Sequence, residues 1–111
     1  MVSDNEDLKG RPFNLSESIE YAIKSVISKT LLKKDTGNLT LFSFDQGEGL
    51  TEHTSPYDAV VYVLDGSAQI IIGGQPHTVK AGEMIIMPAN IPHALQAEER
   101  FKMLLIMIRG K

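Results

Sequence analysis

The sequence predicts a single all-β domain of the sandwich or barrel kind, and three observations carry that prediction. Short apolar segments recur at roughly the 8–12-residue spacing of such folds, about nine of them along the chain. Between them stand clusters with the composition of turns: Asp35-Thr36-Gly37-Asn38, Asp65-Gly66-Ser67 and Gly73-Gly74-Gln75-Pro76. The chain has 111 residues with no internal repeat and no linker, which suits one domain able to bury a core without disulfides or a structural metal.

Taken in order, residues 1–11 are polar and charged and read as a flexible N-terminal arm, leaving 12–111 as the domain. Phe13 and Leu15 alternate with polar neighbours, as in a short edge strand. Ile19, Ala22, Ile23 and Val26 fall at helical spacing behind Ser16 or Ser18 as N-cap, which predicts one or two helical turns. Val26 to Leu32 is rich in β-branched and aliphatic residues, and the turn at 35–38 returns Leu39 to Phe44 as its hairpin partner. Ala59 to Leu64 and Ala68 to Ile72 flank a predicted reversal at Gly66. Thr78 to Lys80, Met84 to Met87, Ala94 to Ala97 and Phe101 to Ile108 complete the set.

Composition narrows the function classes. The chain has no Cys, which removes disulfide frameworks, thiolate metal sites and Cys nucleophiles. A formal charge of -3, with Lys and Arg scattered among Glu and Asp, leaves no basic stripe for a phosphate backbone, so no nucleic-acid partner is expected. No apolar run approaches the roughly 20 residues that span a bilayer, and residues 1–7 lack a basic and apolar leader pattern. The expectation is a soluble cytoplasmic protein without a membrane partner.

The informative stretch runs from Gly47 to His93. Gly47 is followed by His53, and Gly66 closes the segment after Ala-Val-Val-Tyr-Val-Leu-Asp; further on come Gly82, Pro88, Asn90 and His93. These two groups resemble the paired motifs of the cupins, and the resemblance covers roughly residues 38–108. It implies a double-stranded β-helix, the jelly-roll barrel of that superfamily. The second motif of the family has Gly where this chain has Asn90, and Asn tolerates the left-handed backbone such a turn needs.

The resemblance also implies a metal position, held in metal-binding members by two His and a Glu of the first motif and a His of the second. Here Ser55 stands at the second His and Ala59 at the Glu, which leaves His53 and His93 as a partial site for Zn, Fe, Mn, Ni or Cu, weakly bound and completed by water or substrate. Asp58 neighbours the lost carboxylate, but strand alternation turns it away if Ala59 points inward. Alternation further places Thr51 and Ser55 with His53, Val61 and Val63 with Ala59, and Leu95 with His93.

The expected pocket is therefore His53, Ser55, Ala59, Val61, His93 and Leu95, with Tyr57 in the loop at its mouth. Such a cavity fits a small-molecule ligand. The alternative is that both His bond each other or the backbone inside a filled core. Two further functions stay open: a metal-dependent enzyme of dioxygenase or isomerase type, in which His53 or His93 with Tyr57 could form an acid–base pair, and a non-catalytic sensor or subunit. His77 follows a turn and is expected in solvent, and the Met residues are expected as adaptable filler.

The last strand, Phe-Lys-Met-Leu-Leu-Ile-Met-Ile, is apolar on both faces. One face is owed to the core, so a second copy of the chain is expected to cover the other in a homodimer.

Overall fold

The computed structural model describes residues 6–109. Eight strands follow one another: β1 (Val26–Lys34), β2 (Gly37–Phe44), β3 (Gly49–His53), β4 (Ala59–Ile72), β5 (Gln75–Lys80), β6 (Met84–Met87), β7 (His93–Gln96) and β8 (Phe101–Ile108). All pair antiparallel, in the order β1-β2-β8-β4-β7-β3, with β5 and β6 both also on β4. The expected all-β, double-stranded β-helix is the architecture found.

β4 organises it. The predicted reversal at Gly66 does not occur; the strand runs unbroken for 14 residues. Its first half pairs with β6 and β8, its second half with β5 and β7, so one strand belongs to both sheets. The register slips between Val63 and Asp65, and Gly66 sits at φ +73. Asp-Gly-Ser was thus a correct signal for a backbone irregularity, but the irregularity is a bulge that bends the strand between sheets. A turn after β5 fastens the bend, with Ala81 N–H donating to Gly66 O, Gly82 N–H to Val63 O, and Val63 N–H to Glu83 O. The actual reversal comes at Gly73-Gly74, both at positive φ between the paired Ile72 and Gln75, a two-residue hairpin loop.

Along β4 the inward residues Ala59, Val61, Val63, Ala68 and Ile70 are buried. They meet Phe44, Phe101 and Met103 from one sheet and Val79, Leu95 and Ala97 from the other, so both sheets close over one core. Phe44 and Phe101 stack with ring centroids 4.5 Å apart.

The N-terminal segment departs from expectation. Of the stretch predicted helical, Ser16–Ser18 makes one turn, of the 3-10 type, and Ile19 is already extended. The amide oxygen of Asn14, rather than Ser16 or Ser18, accepts the N–H of Glu17. Phe13 and Leu15 form no strand. Residues 1–5 of the expected arm lie outside the described residues, and Glu6–Leu8 form a second 3-10 turn.

Leu8, Leu15 and Ile19 instead lie on the outer face of the β1-β2-β8 sheet, against Leu31, Leu41, Leu104 and Ile106. Much of the second apolar face of β8 is therefore covered from within the chain. Tyr21 pins the segment down: its hydroxyl donates to Asp65, and its ring lies under the Arg100 guanidinium at 4.3 Å and the Lys102 ammonium at 5.0 Å. Burial first, then the Asp65 carboxylate, holds the Tyr21 phenol above the usual tyrosine range.

Candidate functional site

Between the sheets lies a cavity of about 130 Å³, lined by Leu50, His53, Ser55, Ala59, Met87, His93, Leu95, Met103, Leu105 and Met107. His53 ends β3 and His93 opens β7, and the two are direct cross-strand partners. Their rings meet edge to face with centroids 4.4 Å apart. His93 is buried and His53 is exposed, so one imidazole lies deep and the other at the mouth.

Each ring is oriented by the backbone two residues before it. His53 Nδ1 lies 2.8 Å from Thr51 O, and His93 Nδ1 lies 3.2 Å from Ile91 O. A carbonyl only accepts, so each Nδ1 carries the proton. In the neutral tautomer each Nε2 then keeps a lone pair for a ligand. Ser55 adds a hydroxyl whose oxygen accepts the Tyr57 N–H at 3.1 Å, which leaves its proton free to donate. Two acceptors and one donor among aliphatic and thioether walls can orient a small polar group. No Asp, Glu, Lys or Arg lines the cavity.

The loops around the mouth are tied together. Asn90 N–H donates to Ser55 O at 2.7 Å, and Ala89 N–H to the Asp58 carboxylate at 2.8 Å. Asn90 takes φ +66, the left-handed conformation expected for the residue standing where the related motif has Gly. Asp58 faces away from the cavity, as alternation required, and braces the loop that carries His93.

Of the seven residues expected in the pocket, His53, Ser55, Ala59, His93 and Leu95 line the cavity. Val61 and Tyr57 do not. Val61 shares the parity of Ala59 but is wholly enclosed in the core cluster, and Tyr57 is exposed in its loop, outside the cavity lining. Thr51 is exposed as well, and Leu50 takes its place. The pairing of β3 with β7 slips between Leu50 and His53, which turns Leu50 to the same side as His53. Met87, Met103, Leu105 and Met107 were absent from the expected pocket, although alternation along β8 puts Met103, Leu105 and Met107 on one face. His77 is exposed, as expected.

The residues lining the cavity do not reproduce the three-His, one-Glu set that the resemblance implies. Among the described residues no three His, Cys, Asp or Glu side chains stand where they could hold one metal ion. A divalent cation here would have two imidazoles and otherwise water.

Comparison with known proteins agrees with the architecture. The family model described as the cupin domain matches residues 40–109. Among solved structures, a conserved protein of unknown function from Streptococcus pyogenes is 35% identical with a TM-score of 0.90, over 100% of this chain and 97% of that one. A cupin 2 conserved barrel domain protein from Leptotrichia buccalis is 48% identical with a TM-score of 0.85, over 87% of this chain and 47% of that one. Protein SchB of Streptomyces halstedii is 24% identical over 72 residues, 64% of this chain and 52% of its own, so the chain spans about half the length of that curated relative. The two motifs, the strand order and the family match converge: the chain belongs to the cupin family.

Proposed function

We propose that this cupin binds a small ligand in the His53–His93 cavity, holding its polar atoms on the two Nε2 atoms and the Ser55 hydroxyl. The observation that carries the reading is the pair of adjacent imidazoles, each fixed through Nδ1, with both Nε2 atoms left for something other than the protein backbone. Both imidazoles bond the backbone, as a filled core would also have them; the open cavity beside them and the exposure of His53 favour the ligand reading. The volume of about 130 Å³ is room for roughly four waters, below the usual range of drug-sized sites, so the ligand is a molecule or end group of few non-hydrogen atoms.

Native mass spectrometry of the purified protein tests this. The expected result is a small adduct, or a thermal shift with a panel of small neutral polar compounds, that disappears in Ala59→Leu and His93→Asn. Equal retention in both folded variants would place the ligand elsewhere and refute the reading.

The metal-dependent enzyme is the second reading. The same two Nε2 atoms favour it, while among the described residues no third His, Cys, Asp or Glu joins them, which weighs against tight binding of a divalent ion.

A homodimer remains part of the proposal on narrower ground than the whole outer face of β8. Ile86, Met84 and Ile108 are 58%, 57% and 57% exposed. Ile86 pairs with Val60, which pairs on its other side with Ile106, so an apolar row runs from exposed Ile86 on β6 across β4 to β8, where it meets the cluster of the N-terminal segment at Ile106. A second copy over this row would bury it.

A further inference from the structure

We infer that the group held in this cavity is an uncharged primary carboxamide on a short aliphatic stem, its NH2 between His53 and His93 and its carbonyl on Ser55; this rests on the cavity being the ligand site and names the chemistry of its occupant.

A pocket selects the ligand whose donors and acceptors complement its own, because a buried polar group left unpaired costs more than a made bond returns. The polar side chains of this lining are His53, Ser55 and His93. Each imidazole spends its Nδ1 proton on a carbonyl, that of Thr51 or of Ile91, so the neutral ring offers a ligand a lone pair and no proton. The Ser55 oxygen is engaged by the Tyr57 N–H, which leaves the hydroxyl its proton to give. The site therefore asks for two donors and one acceptor.

Few small groups supply that set without charge or surplus. A carboxylate brings only acceptors, which would face the two lone pairs with no cation in the lining. An alkylammonium brings donors with a charge that no acid in the lining matches. A ketone has no donor, a single alcohol has one, and urea has more N–H groups than the site accepts. A primary amide has two N–H and one carbonyl. Its hydrogens diverge from one nitrogen, so with bonds of about 2.9 Å it spans acceptors about 5 Å apart. That is the scale of two imidazoles whose centroids stand 4.4 Å apart. The remaining walls, among them Leu95, Leu105 and Met103, suit hydrocarbon, and about 130 Å³ leaves room for a stem of about two carbons.

The test titrates the full nitrogen-15-labelled chain at pH 8 with propionamide, followed through backbone amide signals, with propionate, butanone and 1,2-propanediol as probes of similar size. Propionamide should shift the signals of Ser55, Ala59 and Leu95 saturably, and the other three should bind about tenfold more weakly or worse. Ser55→Ala should lower propionamide affinity about fivefold, and in His93→Phe, which keeps a ring and removes an acceptor, propionamide should lose its advantage over butanone. The four probes on the unmodified chain decide even if His93→Phe does not fold. Propionate or butanone bound as tightly as propionamide, or 1,2-propanediol bound as tightly or better, would overturn the carboxamide while leaving the cavity as the ligand site. Shifts confined to other parts of the chain, or no saturable shift with any probe, would overturn it too, and the mass-spectrometric adduct then decides separately whether the cavity holds a ligand.

Discussion

Gly66→Ala is the sharpest probe of the bend on which both sheets depend. Gly66 has φ +73, and a methyl group there would run into the carbonyl oxygen of Arg100, with Phe101 Cα at 3.1 Å. Gly47 serves as an internal reference, because it has φ +90 but nothing within 4 Å of the position a methyl group would take. Both substitutions carry the left-handed backbone cost, about 1–2 kcal/mol for a residue with a side chain. Only Gly66→Ala also forces β4 and β8 apart, and such overpacking costs about 1–3 kcal/mol more. Gly47→Ala should therefore lose about 1–2 kcal/mol and Gly66→Ala about 2–5 kcal/mol.

Against a total of roughly 5–15 kcal/mol for a domain, the second loss is a large fraction. Urea unfolding followed by circular dichroism measures both through the midpoint at unchanged slope. If the two variants agree within about 0.5 kcal/mol, the close approach of β8 is not a constraint, and the account of β4 as a strand pinned at its bend fails.

Three further outcomes are expected. The Asp45 carboxyl is held below the usual aspartate range chiefly by the Lys24 N–H, then by the Gln46 N–H and Arg100. A depressed folded value stabilises the protein above the ordinary value near 4 and loses that contribution as pH falls through the folded value, so the stability gap between the unmodified protein and Asp45→Asn should be constant at neutral pH and shrink in acid; a gap that widens in acid contradicts this. Ser55→His with Ala59→Glu would add an imidazole and a carboxylate to the cavity of His53 and His93, and calorimetry should find a divalent transition metal bound more tightly than by the unmodified chain. Ile86→Lys puts a charge in the exposed apolar row, and light scattering should show a dimer of the unmodified protein become a monomer of about 12 kDa; a monomer in both cases removes the second copy from the proposal.

The strands and their apolar faces were legible because the signal is local. Phe101 to Ile108 and Met84 to Met87 are strands over the full predicted spans, and Asn90 took the backbone its type allows. What was not legible depends on where strands slip past one another. Gly66 between Asp and Ser has the composition of a turn, and only pairing with Phe101 on one side and the 81–83 turn on the other makes it a bend in a continuous strand. Leu50 could not be placed in the cavity for the same reason, since one slip of register between it and His53 inverts the facing that alternation assigns. The N-terminal segment failed differently. Its helical spacing was real, but Leu15 and Ile19 gain more by covering Leu31, Leu41 and Leu104 than by completing a helix in isolation.

The lining limits the charge of the ligand proposed for the cavity. Asp58 is the nearest acid in sequence to Ala59, yet its carboxylate is occupied outside by the Ala89 N–H. With no Asp, Glu, Lys or Arg in the lining, a dianion or dication would enter without a countercharge and give up its hydration for little return. Under the proposed function, selection would fall to shape and to the directions of two imidazole lone pairs. Those directions are fixed by the carbonyls of Thr51 and Ile91, and the Ile91 carbonyl belongs to the loop that Asp58 and Ser55 tie down. The acid that alternation turns away from the cavity thus acts on it through the backbone, by holding still the residues that aim His93.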